Sequence, residues 1–307
     1  MKMQKVRKPS KLRERVGELK RNGFIMNVFG FLPLIWSIVL IALVVWGINV
    51  ALADSNWYLD HANAFFAKEF SFSNFTDAIQ KIKQQVSDVA GGVRWAGYWE
   101  MAFNSLWYSL GGTMMKMIST VCFAYVMARY EFPGRKFLYA VIVAQMLLPV
   151  YGQTTANYTL LQKLNLLDTP LFLLALGAGH GMHFMITYAY FRNLSQEYVY
   201  AAKIDGANSL QVFTRVMLPL AKPIVTALFV MNFIAYWNDY QNCIIYLRSY
   251  PTLSGALYNL QSQAFQLGLQ TPTYFAGIFI TIIPAAALFL IFNKQIMENV
   301  SLGGLKG

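Results

Sequence analysis

Few side chains in this 307-residue chain have the types and spacing that chemistry needs. His180 and His183 stand three apart, on one face of a helix. A metal would need further ligands, and no Cys, Asp or Glu lies beside them, so a polar helix contact is the default reading. Cys122 and Cys243 show neither metal spacing nor a disulfide framework. No nucleophile–base pair stands out, and no GxxxxGK[ST] loop is present to cradle a nucleotide phosphate. Two features remain. Lys116 puts a charge inside an apolar run, which is costly and often functional, and it can either snorkel or pair with a partner. Trp237, Asn238, Asp239 and Tyr240 combine two aromatic faces with amide and carboxylate acceptors. That set suits sugars, which have apolar ring faces and many hydroxyls. It equally suits an interfacial aromatic belt, with Asp239 capping a helix.

The segment that shapes rather than reacts is AAKIDGANSLQVFTRVMLP, residues 201–219. Ser195 can cap a first helix, with Glu197 in its first turn where a carboxylate favours the dipole. Gly206 tolerates left-handed geometry and ends that helix. Asn208, with Gln211 three residues on, can cap a second helix that Pro219 and Pro223 close. A polar helix–glycine–helix unit between two apolar runs suits the holding of a soluble partner.

The composition places these residues in a membrane protein. Hydrophobic residues make up 56% of the chain and charged ones 13%, against about 25% charged in soluble domains. A span needs ~20 mainly apolar residues, and six segments approach that: 31–51, 102–127, 137–152, 171–190, 224–237 and 274–292. Pro149 and Pro284 interrupt two of them, and Gly177, Gly179 and Gly181 suit close packing of the fourth. Met114, Met115, Met117 and the many Phe residues read as packing or lipid contacts. Nine of the first 22 residues are basic, and eighteen of the 25 basic residues fall on the side of the 193–222 loop. The positive-inside rule then makes both termini and that loop cytoplasmic. The net charge of +11 is therefore read as a positive membrane face, not as a nucleic-acid footprint. The expected organisation is a basic segment 1–22, a first span within 23–53 (too long to be a signal h-region), and an external cap 54–100. A core 101–297 and a tail 298–307 follow.

Several motifs, in order on this topology, resemble one family. AYVMARYEFPGRK (124–136) looks like the turn after the second span of carbohydrate-type ABC importer permeases. YAAKIDGA (200–207), then Phe213 and Leu218–Pro219, resembles their EAA loop, and Trp237–Tyr240 resembles the end of their fifth span. FSNF (72–75), Asn104–Ser105 and the closing GGLKG (303–307) fit the MalG-like branch of maltose permeases. The resemblance covers the chain from about residue 70 onward. It departs at Tyr200, where the family usually has glutamate; Glu197 matches a second acidic position upstream but does not replace it.

The resemblance implies an all-α membrane protein with six transmembrane helices in the type I ABC importer permease (MetI-like) fold. It implies a non-catalytic subunit in a bacterial cytoplasmic membrane that imports a carbohydrate, such as an oligosaccharide. The expected partners are a second permease, a cytoplasmic ATPase dimer, an extracytoplasmic substrate-binding protein and lipid. ATP and Mg belong to the ATPase chains, and this chain holds no cofactor of its own. Glu197, Ala201, Ala202, Asp205, Gly206, Ala207, Phe213, Leu218 and Pro219 are then the ATPase-coupling residues, with the three alanines fitting the partner's groove. Trp237, Asn238, Asp239 and Tyr240 are candidates for the substrate path. A polar solute such as a glycerophosphate remains an alternative, although the absence of arginine from the spans favours a neutral sugar. An ATP-independent transporter would show internal symmetry or carboxylates in its spans, and neither is found. A receptor or scaffold explains the helices but not the EAA-like loop.

Overall fold

A computed structural model describes residues 11–61, 64–87, 92–147, 153–177, 181–263 and 270–302. The molecule is mostly helical. Among the described residues, three helices contain stretches long and apolar enough to cross a membrane. They are α1 (Lys11–Leu52), whose apolar part begins at Phe31, α4 (Tyr98–Arg129) and α15 (Thr271–Leu302), apolar to Asn293. In α4, Glu100 in the first turn and Arg129 in the last complement the helix dipole. Its outward face is apolar, with Leu110, Met114 and Ile118 exposed, while Ser109, Thr113, Met117, Thr120 and Ala124 face the bundle.

Among the described residues, the other expected spans are shorter helical pieces. Of segment 137–152, residues up to Leu147 lie in α5 (Arg135–Leu147), the rest, Pro149 included, lie outside the described residues, and α6 (Gln153–Lys163) comes after the segment. Segment 171–190 divides into a 3-10 turn at Pro170–Phe172, α7 (Leu173–Leu176) and α8 (Met182–Asn193). Gly177 follows α7 and Gly181 is the N-cap of α8, while Gly179 lies outside the described residues. A Cβ on Gly177 would lie 3.4 Å from the Met115 carbonyl oxygen, so its close packing holds too. Likewise, a Cβ on Gly112 would come within 2.9 Å of Leu176, which is how α7 lies close on α4.

The chain is not purely α-helical. After α2 (Ser55–Asp60) and α3 (Ser73–Lys81), a hairpin pairs β1 (Gln84–Ser87) antiparallel with β2 (Val93–Ala96), Gln85 opposite Trp95. Its inner side chains, Val86 and Ala96, join Ile82, Ala51 and Ala276 in a core at the end of the bundle opposite the 193–222 loop. Asn74, only 2% exposed, pins this cap: its Nδ2 donates to Ala51 O (2.9 Å) and Ala53 O (2.7 Å), and its Oδ1 accepts from Ser55 Oγ (3.0 Å).

Replacing Asn74 by Leu leaves two buried carbonyls without that donor, at about 1–3 kcal/mol each. We predict faster proteolysis of the 54–100 segment in Asn74→Leu, with the spans still inserted; wild-type protease resistance would contradict the role given to Asn74.

Candidate functional site

The polar segment after α8 folds as two short helical arms set by local chemistry. The first is α9 (Glu197–Ile204). Ser195 is not its N-cap; that position is Gln196, and Ser195 Oγ instead accepts the Glu197 N–H one residue early, at 3.2 Å. At the other end Gly206 has φ +82°. The Gly206 N–H donates to Lys203 O (3.1 Å) and the Ala207 N–H to Ala202 O (2.9 Å). This crossed pair is a Schellman stop, which requires left-handed backbone at Gly206. Two residues later Asn208 closes a capping box: its Oδ1 accepts the Gln211 N–H and Gln211 Oε1 accepts the Asn208 N–H, both at 2.8 Å.

The second arm is α10 (Ser209–Gln211), a π-helical stretch Val212–Met217, and α11 (Leu218–Leu220). The wider π turn comes just before Pro219, which has no N–H to donate back along the helix. The chain then bends by 75° into α12 (Lys222–Trp237), the expected fifth span.

Both arms are anchored to the spans. Ala202, Val212, Met217 and Ala221 are buried in one cluster with Ala124, Met127, Phe191 and Ile224. Phe213 meets the Tyr125 ring at 4.6 Å, Arg129 Nη2 donates to Leu194 O (2.7 Å), and Tyr190 OH donates to Leu220 O (2.9 Å). Ala202 is therefore buried against its own chain and Ala207 is half-buried against the same cluster, while Ala201 is exposed. Leu218 is half-buried; Glu197, Asp205, Gly206 and Pro219 face outward. The outward surface also carries Tyr200, Ile204 (85% exposed) and Leu210, large apolar side chains in an otherwise polar segment. The sequence marks Tyr200 only as the replacement of the family's glutamate, and gives Ile204 and Leu210 no role. The signal for Ile204 and Leu210 is their apolar character itself, with Ile204 four residues from Tyr200 on one helix face.

The four residues 237–240 do not form one cluster. Trp237 is 4% exposed, stacks on Phe233 and donates Nε1–H to Thr281 O at 3.0 Å, so it joins α12 to α15. Asn238 is exposed and donates to Ile234 O. Asp239 caps α13 (Tyr240–Tyr246): it accepts the Asn242 N–H (3.0 Å), Asn242 Nδ2 (2.7 Å) and the buried Tyr108 hydroxyl (2.8 Å). Tyr240 stacks on Tyr258 of α14 (Leu253–Gln263) at 4.5 Å, and both rings are exposed. Of the four, only Asn238 and Tyr240 offer free surface. Elsewhere, His183 lies in the first turn of α8 and His180 lies outside the described residues; no group of metal-binding side chains occurs among the described residues.

This architecture is shared with known proteins. Residues 120–298 match the family described as "Binding-protein-dependent transport system inner membrane component", more than half of the chain. The chain belongs to that family: it is a permease subunit of a binding-protein-dependent ABC importer, a membrane component without catalytic chemistry. It is 29% identical to the diacetylchitobiose uptake system permease protein NgcG of Streptomyces coelicolor, over 65% of this chain and 67% of that one. It is 30% identical to the maltodextrin transport system permease protein MdxG of Bacillus subtilis, over 66% and 74%. Its fold matches a chain of a bacterial ABC transporter involved in the import of the acidic polysaccharide alginate. That match has TM-score 0.67 and 20% identity, over 94% of this chain and 99% of that one.

Asn208→Ala removes half of the capping box, a loss of about 1 kcal/mol. The expected result is faster amide exchange confined to the start of the second arm, measured by hydrogen–deuterium exchange. Unchanged protection there would contradict the assignment of the box as the arm's N-terminal lock.

Proposed function

We propose that this chain is one of two permeases around a carbohydrate path, with an oligosaccharide as substrate. In this reading it crosses the membrane six times with both termini in the cytoplasm. The basic residues gathered on the side of the 193–222 loop support that orientation. Span three then runs through α5, and span four takes in α7 and α8. Uptake of saccharides by relatives named for chitobiose and maltodextrin supports the substrate class.

Segment 193–222 is the coupling loop that docks on a cytoplasmic ATPase dimer, where ATP and Mg are bound. An extracytoplasmic binding protein delivers the sugar at the opposite end, over the 54–100 cap. One observation carries the coupling assignment: the two arms are fused to the core of α4, α8 and α12 yet turn Tyr200, Ile204 and Leu210 outward. Exposed apolar side chains rimmed by polar ones mark a partner surface. A docked partner biases a two-state protein only through different contacts in the two states, and arms rigidly joined to the spans carry that difference inward. Tyr200 replaces the family's glutamate with a ring, so contact at this position is apolar. Of the path candidates, Tyr240 with Tyr258 provides the ring faces for sugar stacking, while Trp237 and Asp239 are structural.

The test is ATPase activity of the reconstituted complex with a panel of sugars on the binding protein. One sugar stimulates hydrolysis in the wild type. Gly206→Val forces a β-branched residue to φ +82°, which breaks the Schellman stop; the stimulation falls at least tenfold while the chain still inserts. Full stimulation in Gly206→Val, or failure of the ATPase to associate with the wild type, would overturn the coupling assignment.

A further inference from the structure

Lys116 is the charge that the importer reading leaves without a role. It lies on α4 about 20 Å along the helix axis from Arg129, at 1.5 Å per residue, well inside the span. The sequence has no Asp or Glu between Glu100 and Glu131, between Asp168 and Glu197, or between Asp205 and Asp239. Neither α4, α8 nor α12 therefore brings a carboxylate to that depth. The ion pairs among the described residues, Lys81–Asp77 and Arg94–Glu100, both involve the 54–100 segment. The electrostatic neighbour of Lys116 is His183 of α8, and Asn232 of α12 reaches the same part of α4, its Nδ2 lying 3.5 Å from Met117 Sδ and donating to Leu228 O at 2.8 Å.

A second observation comes from α4 itself. Ser109, Thr113, Lys116 and Thr120 are spaced four, three and four apart and so share one face. The three hydroxyls are buried, each residue at most 1% exposed, yet none has a hydrogen-bond partner. Buried polar atoms without partners are rare in folded proteins, and three of them lie on the face of α4 that carries Lys116. Asn232, across the seam, is also buried. The start of α8 adds to this field: Gly181 offers no capping side chain, and the positive end of the helix dipole lies at His183.

We infer that the seam between α4, α8 and α12, centred on Lys116, is an anion subsite that receives a carboxylate of the transported saccharide. The inference rests on the saccharide-importer reading and narrows it to an acidic sugar. A single lysine is a point charge matched to a carboxylate. The spans hold no arginine, whose fork suits phosphate oxygens two at a time. The absence of arginine that favoured a neutral sugar thus argues only against phosphate. A carboxylate from a neighbouring permease is the poorer fit, because α4 turns Leu110, Met114 and Ile118 outward and Lys116 lies on its inner side.

The test is uptake by the full complex in proteoliposomes, using uronic-acid oligosaccharides and their carboxyl-reduced, neutral counterparts. The wild type takes up an oligouronide in preference to its reduced form. Lys116→Met and Lys116→Gln each lower oligouronide uptake at least tenfold, and Lys116→Arg retains most of it, with the heterodimer assembling in all three. Wild-type uptake confined to neutral saccharides overturns the inference and leaves the saccharide importer standing; that comparison needs no variant. Unchanged oligouronide uptake in Lys116→Met overturns it as well. Loss of the heterodimer in Lys116→Met, with Lys116→Arg assembling normally, overturns it by placing the charge at a permease–permease contact. Uptake of neither class removes both readings.

Discussion

Val212, Met217 and Ala221 pack against Met127, Phe191 and Ile224, and this buried contact makes the polar arms part of the same body as the spans. Interiors packed at crystal-like density transmit displacement instead of absorbing it. Arg129 and Tyr190 reinforce the joint by donating to Leu194 and Leu220, the carbonyls that flank the arms. Without this seam, a cytoplasmic partner could hold the loop and still not move a helix. With it, the arms and α4, α8 and α12 share one buried cluster.

The opposite end of the bundle is tied by a different set of bonds. Asp239 holds Tyr108 and Asn242, Trp237 reaches Thr281, and Asp168 accepts the Ser249 N–H (2.7 Å) and hydroxyl (2.6 Å). These join α4, α12, α13 and α15 with the loop after α6. Because α4 and α12 run through both ends, a tilt imposed at the arms reaches the network at Asp239. The Lys116 seam lies between the two, on the inner face of α4. Placing a lysine at the centre of a span costs about 2.5–3.5 kcal/mol on insertion scales, and the seam's polar lining lowers that cost only in part.

The parts of the site legible in sequence were those whose determinants lie within a few residues. Gly206 as a left-handed stop and Asn208 with Gln211 as a capping box are local chemistry, and both took the expected geometry. Residues fixed by distant partners were not legible. Tyr108 lies 131 positions from the Asp239 it contacts, and Trp237 is 44 from Thr281, so the WNDY run read as one cluster although its side chains diverge. The β1–β2 hairpin escaped notice because its four-residue strands carry as many polar as apolar side chains and bury Val86 and Ala96 against residues distant in sequence, such as Leu253 and Ala276. The paired alanines were assigned to a partner because small residues suit close packing. Which neighbour they meet depended on how the arms fold back, and for Ala202 that neighbour is the chain's own core.

The claim on which the rest depends is that the outward face of the arms meets the ATPase. A spin label attached at Ile204→Cys, with Cys122 and Cys243 replaced by serine, reports on that face directly by electron paramagnetic resonance. We predict a mobile label on the isolated permease pair that becomes strongly immobilised when the ATPase subunits bind, with a further spectral change on adding ATP. A label that stays mobile in the assembled, ATP-hydrolysing complex would contradict the account.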